Sequence, residues 1–67
     1  MRLLQTIQNV QGKTLGKLYE DSNPGDQVLH SLGGAVLGRY YQSGNVTHDG
    51  SGRIVGRGNV LMTLIPR

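Results

Sequence analysis

Cationic side chains recur at regular places in this chain, and such a set could hold the phosphates of an anionic partner. Lys17, Arg39 and Arg57 each directly follow a glycine, and they are spaced almost evenly along the sequence. Lys13 lies four residues before Lys17, and Arg53 lies four residues before Arg57. If the cations lie on equivalent strands, they form a row on one surface, which is typical of proteins that bind a phosphate backbone.

Two tyrosines, Tyr40 and Tyr41, follow Arg39 and would add the aromatic stacking by which single-strand binders hold bases. The chain has seven Lys and Arg residues against four Asp and Glu residues, a net charge of +3. This mild excess permits an anionic partner without requiring one. Solvated cations that prevent one sheet from aggregating with another explain the same pattern without any ligand.

Two histidines, His30 and His48, are separated by the same length of chain as Arg39 and Arg57. In a pseudosymmetric assembly they could approach one another and bind a metal ion or sense pH. Gln8 occupies the corresponding place earlier in the chain, so no third imidazole completes the set. The alternative is that each histidine flanks a turn and bonds the local backbone.

The remaining polar residues form no recognisable catalytic group. Cysteine is absent, which excludes thiolate chemistry and disulfides. Glu20, Asp21 and Asp26 cluster, but their spacing matches no calcium-binding loop, and no serine lies in a nucleophile elbow. A core this small also offers little room for a concave active site. We therefore expect no catalytic residue, no cofactor and no enzymatic activity.

An internal repeat must position the cations and histidines. Residues 46–57 align without a gap with residues 28–39, and both segments share Val, His, Gly and a final Gly-Arg pair. Residues 6–17 align more weakly with the middle segment, at a slightly larger offset. The extra length falls in the turn-rich segment 21–26, which is typical of a loop insertion. We therefore predict three tandem copies of one unit.

Each copy is predicted to be a strand, a tight turn and a second strand. Asp49-Gly50 is a favoured hairpin dipeptide with both residues at positive φ, and Gly34 and Gly52 suit a left-handed or bulge position after the turn. A glycine also recurs inside the second strand, where it indicates a bend, a bulge or a close backbone approach. Its occurrences are Gly16, Gly38 and Gly56. No apolar period typical of a helix is sustained, so we predict a single all-β domain over residues 1–67.

The size of the chain favours assembly. A chain of 67 residues buries only about 60% of its unfolded surface, so a partner chain is the remaining source of stability. The apolar run 60–65 is predicted to be a terminal strand buried on both faces, with Pro66 and Arg67 ending it. We expect this strand to lie in the interface of a homo-oligomer, through Val60, Leu61, Met62, Leu64 and Ile65.

The amino terminus has one positive charge but neither a long apolar core nor a small-residue cleavage site, so no signal peptide is predicted. The longest apolar run is also far shorter than the about 18 residues that a membrane helix needs. A cytoplasmic protein without a membrane partner is therefore expected.

The repeated unit resembles that of four-fold beta-flower proteins. Its features are Val28, His30 shortly after it, Gly34 near the turn, and Gly38-Arg39 after two apolar residues. The resemblance extends over residues 6–65 and implies short hairpins arranged pseudosymmetrically around an axis, in a barrel- or flower-like form, with no common activity. Because this chain has three copies and a remnant rather than four copies, we expect another subunit to complete the arrangement.

The function predicted from these patterns is a small homo-oligomeric binding or scaffolding module without enzymatic activity. Its ligand is not specified by any motif. The alternative is a basic nucleic-acid-binding protein that uses the repeated Lys and Arg row together with the two adjacent tyrosines.

Overall fold

Six antiparallel β-strands form one sheet in the computed structural model, which describes residues 1–65. The strands lie side by side in chain order and are followed by a short 3₁₀ helix over Leu61–Leu64. Their bounds are β1 Arg2–Gln8, β2 Thr14–Glu20, β3 Gln27–Ser31, β4 Val36–Tyr41, β5 Val46–Asp49 and β6 Ile54–Arg57. The all-β prediction is confirmed. The sheet does not close, because within residues 1–65 the outer edges of β1 and β6 pair with no strand.

The two faces of the sheet differ in what covers them. In β2, Gly16 and Leu18 are buried while Lys17 between them is exposed. In β4, Gly38 is buried while Arg39 is exposed. Successive residues of a strand point to opposite faces, so these residues define one face, which the carboxyl-terminal segment overlies. We call it the covered face, and the opposite one the open face. Val28 of β3 is also buried, although its pairing with Arg39 places it on the open face.

The hydrophobic core lies on the covered face and is small. Its buried members are Leu18, Leu29, Leu61 and Ile65, two from the sheet and two from the segment above it. Partly buried apolar side chains surround this cluster, namely Ile7, Leu15, Leu37, Tyr40 and Leu64. The core is therefore a sandwich between one sheet face and the last turn of chain.

Three hairpin turns share one hydrogen-bond arrangement. In each turn a side-chain oxygen of the first residue accepts the backbone N–H four residues later, at 3.0, 3.1 and 3.0 Å. These first residues are Asn9, Ser31 and Asp49. The residue three positions later has positive φ in each turn and is Gly12, Gly34 or Gly52. Each turn is thus a β-turn followed by a left-handed glycine.

The register of the last turn differs from the prediction for Asp49 and Gly50. Asp49 closes the hairpin, since its N–H donates to the carbonyl of Arg53 at 2.8 Å and its carbonyl accepts from Gly52 at 3.0 Å. Asp49 does not have positive φ, so the prediction of a two-residue turn with Asp49 and Gly50 at its centre is wrong. The left-handed position predicted for Gly34 and Gly52 is confirmed.

A close backbone approach explains the strand glycines Gly16 and Gly38. A Cβ atom on either glycine would lie 2.6 Å from a carbonyl oxygen of the neighbouring strand, at His30 or His48 respectively. Each of the three hairpins also has a bulge in its pairing, opposite Ile7, Leu29 or Thr47. The bulge lies in the pairing with the hairpin partner, whereas the close carbonyl belongs to the strand on the other side.

The prediction of a terminal strand over residues 60–65 is wrong. The chain instead forms the 3₁₀ helix Leu61–Leu64, with Leu61 fully buried and Ile65 almost so. Core residues of the same chain bury Leu61 and Ile65 of this run. The homo-oligomer interface expected through Val60, Leu61, Met62, Leu64 and Ile65 stays a prediction. Met62 remains 42% exposed. Pro66 and Arg67, predicted to end the strand, lie outside the described residues.

Candidate functional site

Basic and imidazole side chains alternate across the open face. Lys17 pairs with His30 between β2 and β3, and Arg39 pairs with His48 between β4 and β5. Arg57 pairs with Val46 between β5 and β6, one step further along the sheet. Paired residues project to the same face. We call this set of five residues on five neighbouring strands the basic stripe: Lys17, His30, Arg39, His48 and Arg57.

The basic stripe runs diagonally. On β3, the residue opposite Lys17 is His30 whereas the residue opposite Arg39 is Val28, two positions away. Successive cations lie two strands apart, which is about 10 Å across the sheet, and two residues apart along the strands, which is about 7 Å. Together these two displacements separate their backbones by about 12 Å. Because the screening length at physiological salt is about 8 Å, these cations repel one another only weakly.

The cations of the basic stripe have no ion-pair partners in residues 1–65. The salt bridge between Arg2 and Glu20, at 3.3 Å, lies outside the stripe. Asp26, a buried carboxylate, instead accepts the backbone N–H of Gln42 at 2.8 Å. The cations of the stripe are therefore not neutralised by a direct ion pair within residues 1–65, although Asp49 directly follows His48 in the chain.

Each histidine of the basic stripe contacts a tyrosine ring. The ring centroids of Tyr19 and His30 lie 4.9 Å apart, and those of Tyr41 and His48 lie 5.2 Å apart. Both arrangements are inclined, with interplanar angles of 50° and 66°. Val28, which pairs with both Tyr19 and Arg39, is fully buried. The open face therefore carries two aromatic pairs next to the cations.

Some predicted site residues lie elsewhere. Tyr40 belongs to the covered face, where it packs against the core and its hydroxyl donates to Asn45 Oδ1 at 2.8 Å. Lys13 and Arg53 lie between the turns and the strands, outside the basic stripe. Tyr19 takes the place on the open face that the sequence pattern assigns to Tyr40. The sequence could have indicated this position of Tyr19, because the spacing from Tyr19 to Tyr41 equals the spacing from Lys17 to Arg39.

The two histidines lie on different strands. Strand β4 separates His30 from His48, which places their backbones about 10 Å apart or more. Metal binding by this pair stays a prediction. Within residues 1–65, no group of three or more His, Asp or Glu side chains could hold a metal ion.

A shallow hollow lies beside Arg39 and His48 of the basic stripe, between β4 and the β5–β6 turn. Its walls include Arg39, Tyr41, His48 and Asp49, together with Val36 and residues 50–52. This hollow thus brings a cationic residue and an aromatic residue next to the turn residues 49–52. No other concavity described in residues 1–65 contains a residue of the basic stripe.

Only one oxygen of the Asp49 carboxylate accepts hydrogen bonds from the described chain. Its Oδ1 atom accepts hydrogen bonds from the Ser51 hydroxyl at 2.8 Å, the Ser51 N–H at 2.9 Å and the Arg53 N–H at 3.0 Å. These bonds, the Ser51 hydroxyl first, lower the pKa of Asp49 below its ordinary value. The group is therefore ionised at neutral pH, and its second oxygen can act only as an acceptor.

Comparison with known proteins finds no family, no curated protein and no solved structure that matches this chain. Among residues 1–65, no helix has the length and apolar character needed to cross a membrane.

Proposed function

We propose that this chain is a non-enzymatic binding module whose open face holds single-stranded nucleic acid. The observation that carries the proposal is the basic stripe: its cations on β2, β4 and β6 share a face and have no carboxylate partner in residues 1–65. Phosphate groups of a nucleic-acid backbone are the ligand chemistry that such a row fits.

The aromatic pairs favour a single strand over a duplex. Tyr19 and Tyr41 lie beside Lys17 and Arg39 on the same face, where unstacked bases can rest on their rings. Sheet surfaces that combine aromatic rings with cations bind single-stranded bases by stacking, with little sequence preference. A duplex hides the faces of its bases and would use only the cations. A cytoplasmic location, as the sequence predicts, agrees with such a partner.

Binding of a fluorescent oligonucleotide tests this function. We expect a single strand of about ten nucleotides to bind at low salt, with a slope of log K against log salt near −2, from about −0.7 for each of three phosphate contacts. Arg39→Gln should weaken binding and reduce the slope, whereas Arg53→Gln, a matched cation outside the basic stripe, should change both less. No binding at about 50 mM salt, or equal effects of the two variants, would contradict the proposal.

A second proposed property is homo-oligomeric assembly of three repeated hairpins. The shared turn hydrogen bonds, left-handed glycines and bulges support a common unit that resembles the beta-flower repeat. Both outer strands also offer free edges with exposed apolar side chains, Leu3 at 50% on β1 and Ile54 at 65% on β6. Unpaired edges of this kind are templates for pairing with another chain. The β6 edge of one copy would thus pair with the β1 edge of the next.

Light scattering tests the assembly separately from nucleic-acid binding. We expect the protein to be larger than a monomer at micromolar concentration, and Val55→Pro on β6 to shift it towards the monomer, because proline cannot donate to a strand pair. The control Leu32→Pro changes an exposed residue in the β3–β4 turn. A folded monomer at every concentration would contradict assembly and leave the nucleic-acid proposal unaffected.

A further inference from the structure

We propose that His30 and His48 bind phosphates between the three cations of the basic stripe, so that the stripe holds successive phosphates of one single strand. The inference rests on the proposed function and specifies it, because the same face and the same ligand are involved. The cations alone lie about 12 Å apart. Consecutive phosphates of a nucleic-acid strand are joined through a single sugar and lie closer together than that. Three cations would therefore leave the phosphates between them without a contact.

The register of the sheet places one imidazole in each gap between two cations. His30 lies directly opposite Lys17, and His48 lies directly opposite Arg39. In both cases the next cation of the stripe is on the following strand, two residues further along. The backbone steps from one group to the next therefore alternate between about 5 Å and about 8 Å. With the histidines, the stripe offers a phosphate contact on every strand from β2 to β6.

Contacts with tyrosine rings hold both imidazoles on the open face. The centroid of the His30 ring lies 4.9 Å from that of Tyr19, and the centroid of the His48 ring lies 5.2 Å from that of Tyr41. Each tyrosine is two residues after a cation of the same strand and so projects to the same face. Both histidines are only half-buried, and neither imidazole takes part in a hydrogen bond or an ion pair within residues 1–65. Their ring nitrogens can therefore contact a phosphate.

The charge of an imidazole makes such a contact sensitive to pH. Histidine changes its charge between about pH 8 and pH 5, and the protonated ring donates from both nitrogens. Protonated rings at these distances would repel the neighbouring cations, because the steps do not exceed the screening length of about 8 Å by much. A bound phosphate removes this repulsion. Proton uptake and phosphate binding therefore favour one another.

The surroundings of the two histidines are cationic or neutral. The charged or titratable groups beside His30 on the open face are Lys17, Tyr19 and Arg39. Those beside His48 are Arg39, Tyr41 and Arg57. Strands β2–β6 contain two carboxylates, Glu20 and Asp49, and strand alternation directs both to the covered face. The hydrogen bonds that lower the pKa of Asp49 also keep it ionised in mild acid, so its charge does not change in the range where histidine titrates.

The first hairpin indicates a conservative replacement for either histidine. Gln8 pairs with Thr14 next to the bulge of that hairpin, and the two histidines occupy the same place in theirs. A glutamine side chain carries no charge at any pH. The substitutions His30→Gln and His48→Gln should therefore keep the fold while removing the charge.

Binding of fluorescent oligo-dT of about ten nucleotides tests the inference, because thymine does not titrate in mild acid. EDTA is present in every sample, so that no metal ion contributes. We expect the wild-type protein to bind about tenfold more tightly at about pH 5.5 than at about pH 8, a usual size for coupling between two ligands. The slope of log K against log salt should change from about −2 to about −3.5, since about five rather than three phosphates are neutralised at about −0.7 each. The double variant His30→Gln/His48→Gln should keep a slope of about −2 at both pH values.

A permanently charged variant provides the complementary test. His48→Lys should already bind more tightly than wild type at about pH 8, with a slope of about −2.8 from four phosphate contacts. Its further gain in acid should be smaller than that of wild type, because only His30 remains to take up a proton. A histidine with a purely structural role would show neither effect.

The outcomes separate this inference from the proposed function. Salt-dependent binding of wild type with the same slope at both pH values overturns the inference alone, as does a double variant that keeps the gain in acid. Absence of wild-type binding at both pH values overturns the proposed function. If the double variant fails to fold, the imidazole proton resonances of the wild-type protein decide. The midpoints of their titration should rise when oligo-dT is bound, and unchanged midpoints would overturn the inference.

Discussion

The hydroxyl of Thr47 accepts a hydrogen bond from the backbone N–H of Val60 at 3.1 Å and donates one to the carbonyl of Gly58 at 2.7 Å. Thr47 is fully buried. These two bonds direct the chain after β6 back across the sheet, so that Leu61 enters the core. They decide which face is covered, and they leave the opposite face, with the basic stripe, open to a ligand.

Removal of this hydroxyl should loosen the carboxyl-terminal segment. Thr47→Val keeps the shape of the side chain but leaves a buried N–H and a carbonyl without partners, at a cost of about 1–3 kcal/mol in the free energy of unfolding. Urea denaturation measures the loss. The control is Thr63→Val, since the exposed Thr63 hydroxyl donates only to Val60 within its own turn, at 2.7 Å. Equal losses in the two variants would contradict the role assigned to Thr47.

A methyl group at Gly38 should destabilise the fold. Its Cβ atom would lie 2.6 Å from the His48 carbonyl oxygen and would also meet the side chains of Leu64 and Leu61. We expect Gly38→Ala to cost about 1–3 kcal/mol, the usual range for an overpacked core. In Gly33→Ala, the nearest atom to the new methyl group is Ser31 Oγ at 3.9 Å, so stability should be nearly unchanged. Thermal unfolding of both variants checks this, and a neutral Gly38→Ala would show that the strands are not so close.

Stability should depend on Asp49 in acid. The hydrogen bonds of the turn lower the pKa of Asp49 in the folded state, so ionised Asp49 favours folding above the unfolded pKa. This contribution is lost as the pH falls through the lowered folded pKa. Asp49→Asn should therefore be less stable than wild type at pH 7, with the difference shrinking below about pH 4. Urea titrations at pH 7 and pH 3 measure it, and a difference that grows in acid would contradict the assignment.

Much of the sheet could be predicted from the sequence because the hairpin spacing is visible in it. The left-handed glycines Gly34 and Gly52 and the crowded Gly38 follow from recurrence alone. The end of the chain could not be predicted in this way, since the apolar run 60–65 suits a buried strand and a buried helix equally well. The hydrogen bond from Val60 to Thr47 decides between them, and it joins two residues that are distant in the sequence.

The site was predicted only in part, for a reason that lies in strand geometry. Lys17, Arg39 and Arg57 share a face because they occupy corresponding positions in three hairpins whose turns and bulges match. Tyr40, directly after Arg39, must project to the opposite face by the same alternation, which assigns the open face to Tyr41.

Chemical-shift mapping of the isotopically labelled protein with a single-stranded oligonucleotide tests the central claim most directly. The largest changes should fall on the basic stripe and its tyrosines: Lys17, Tyr19, His30, Arg39, Tyr41, His48 and Arg57. Leu18, Leu29 and Leu61 on the covered face should change little. Changes concentrated on the covered face, or no changes at low salt, would contradict nucleic-acid binding by the open face.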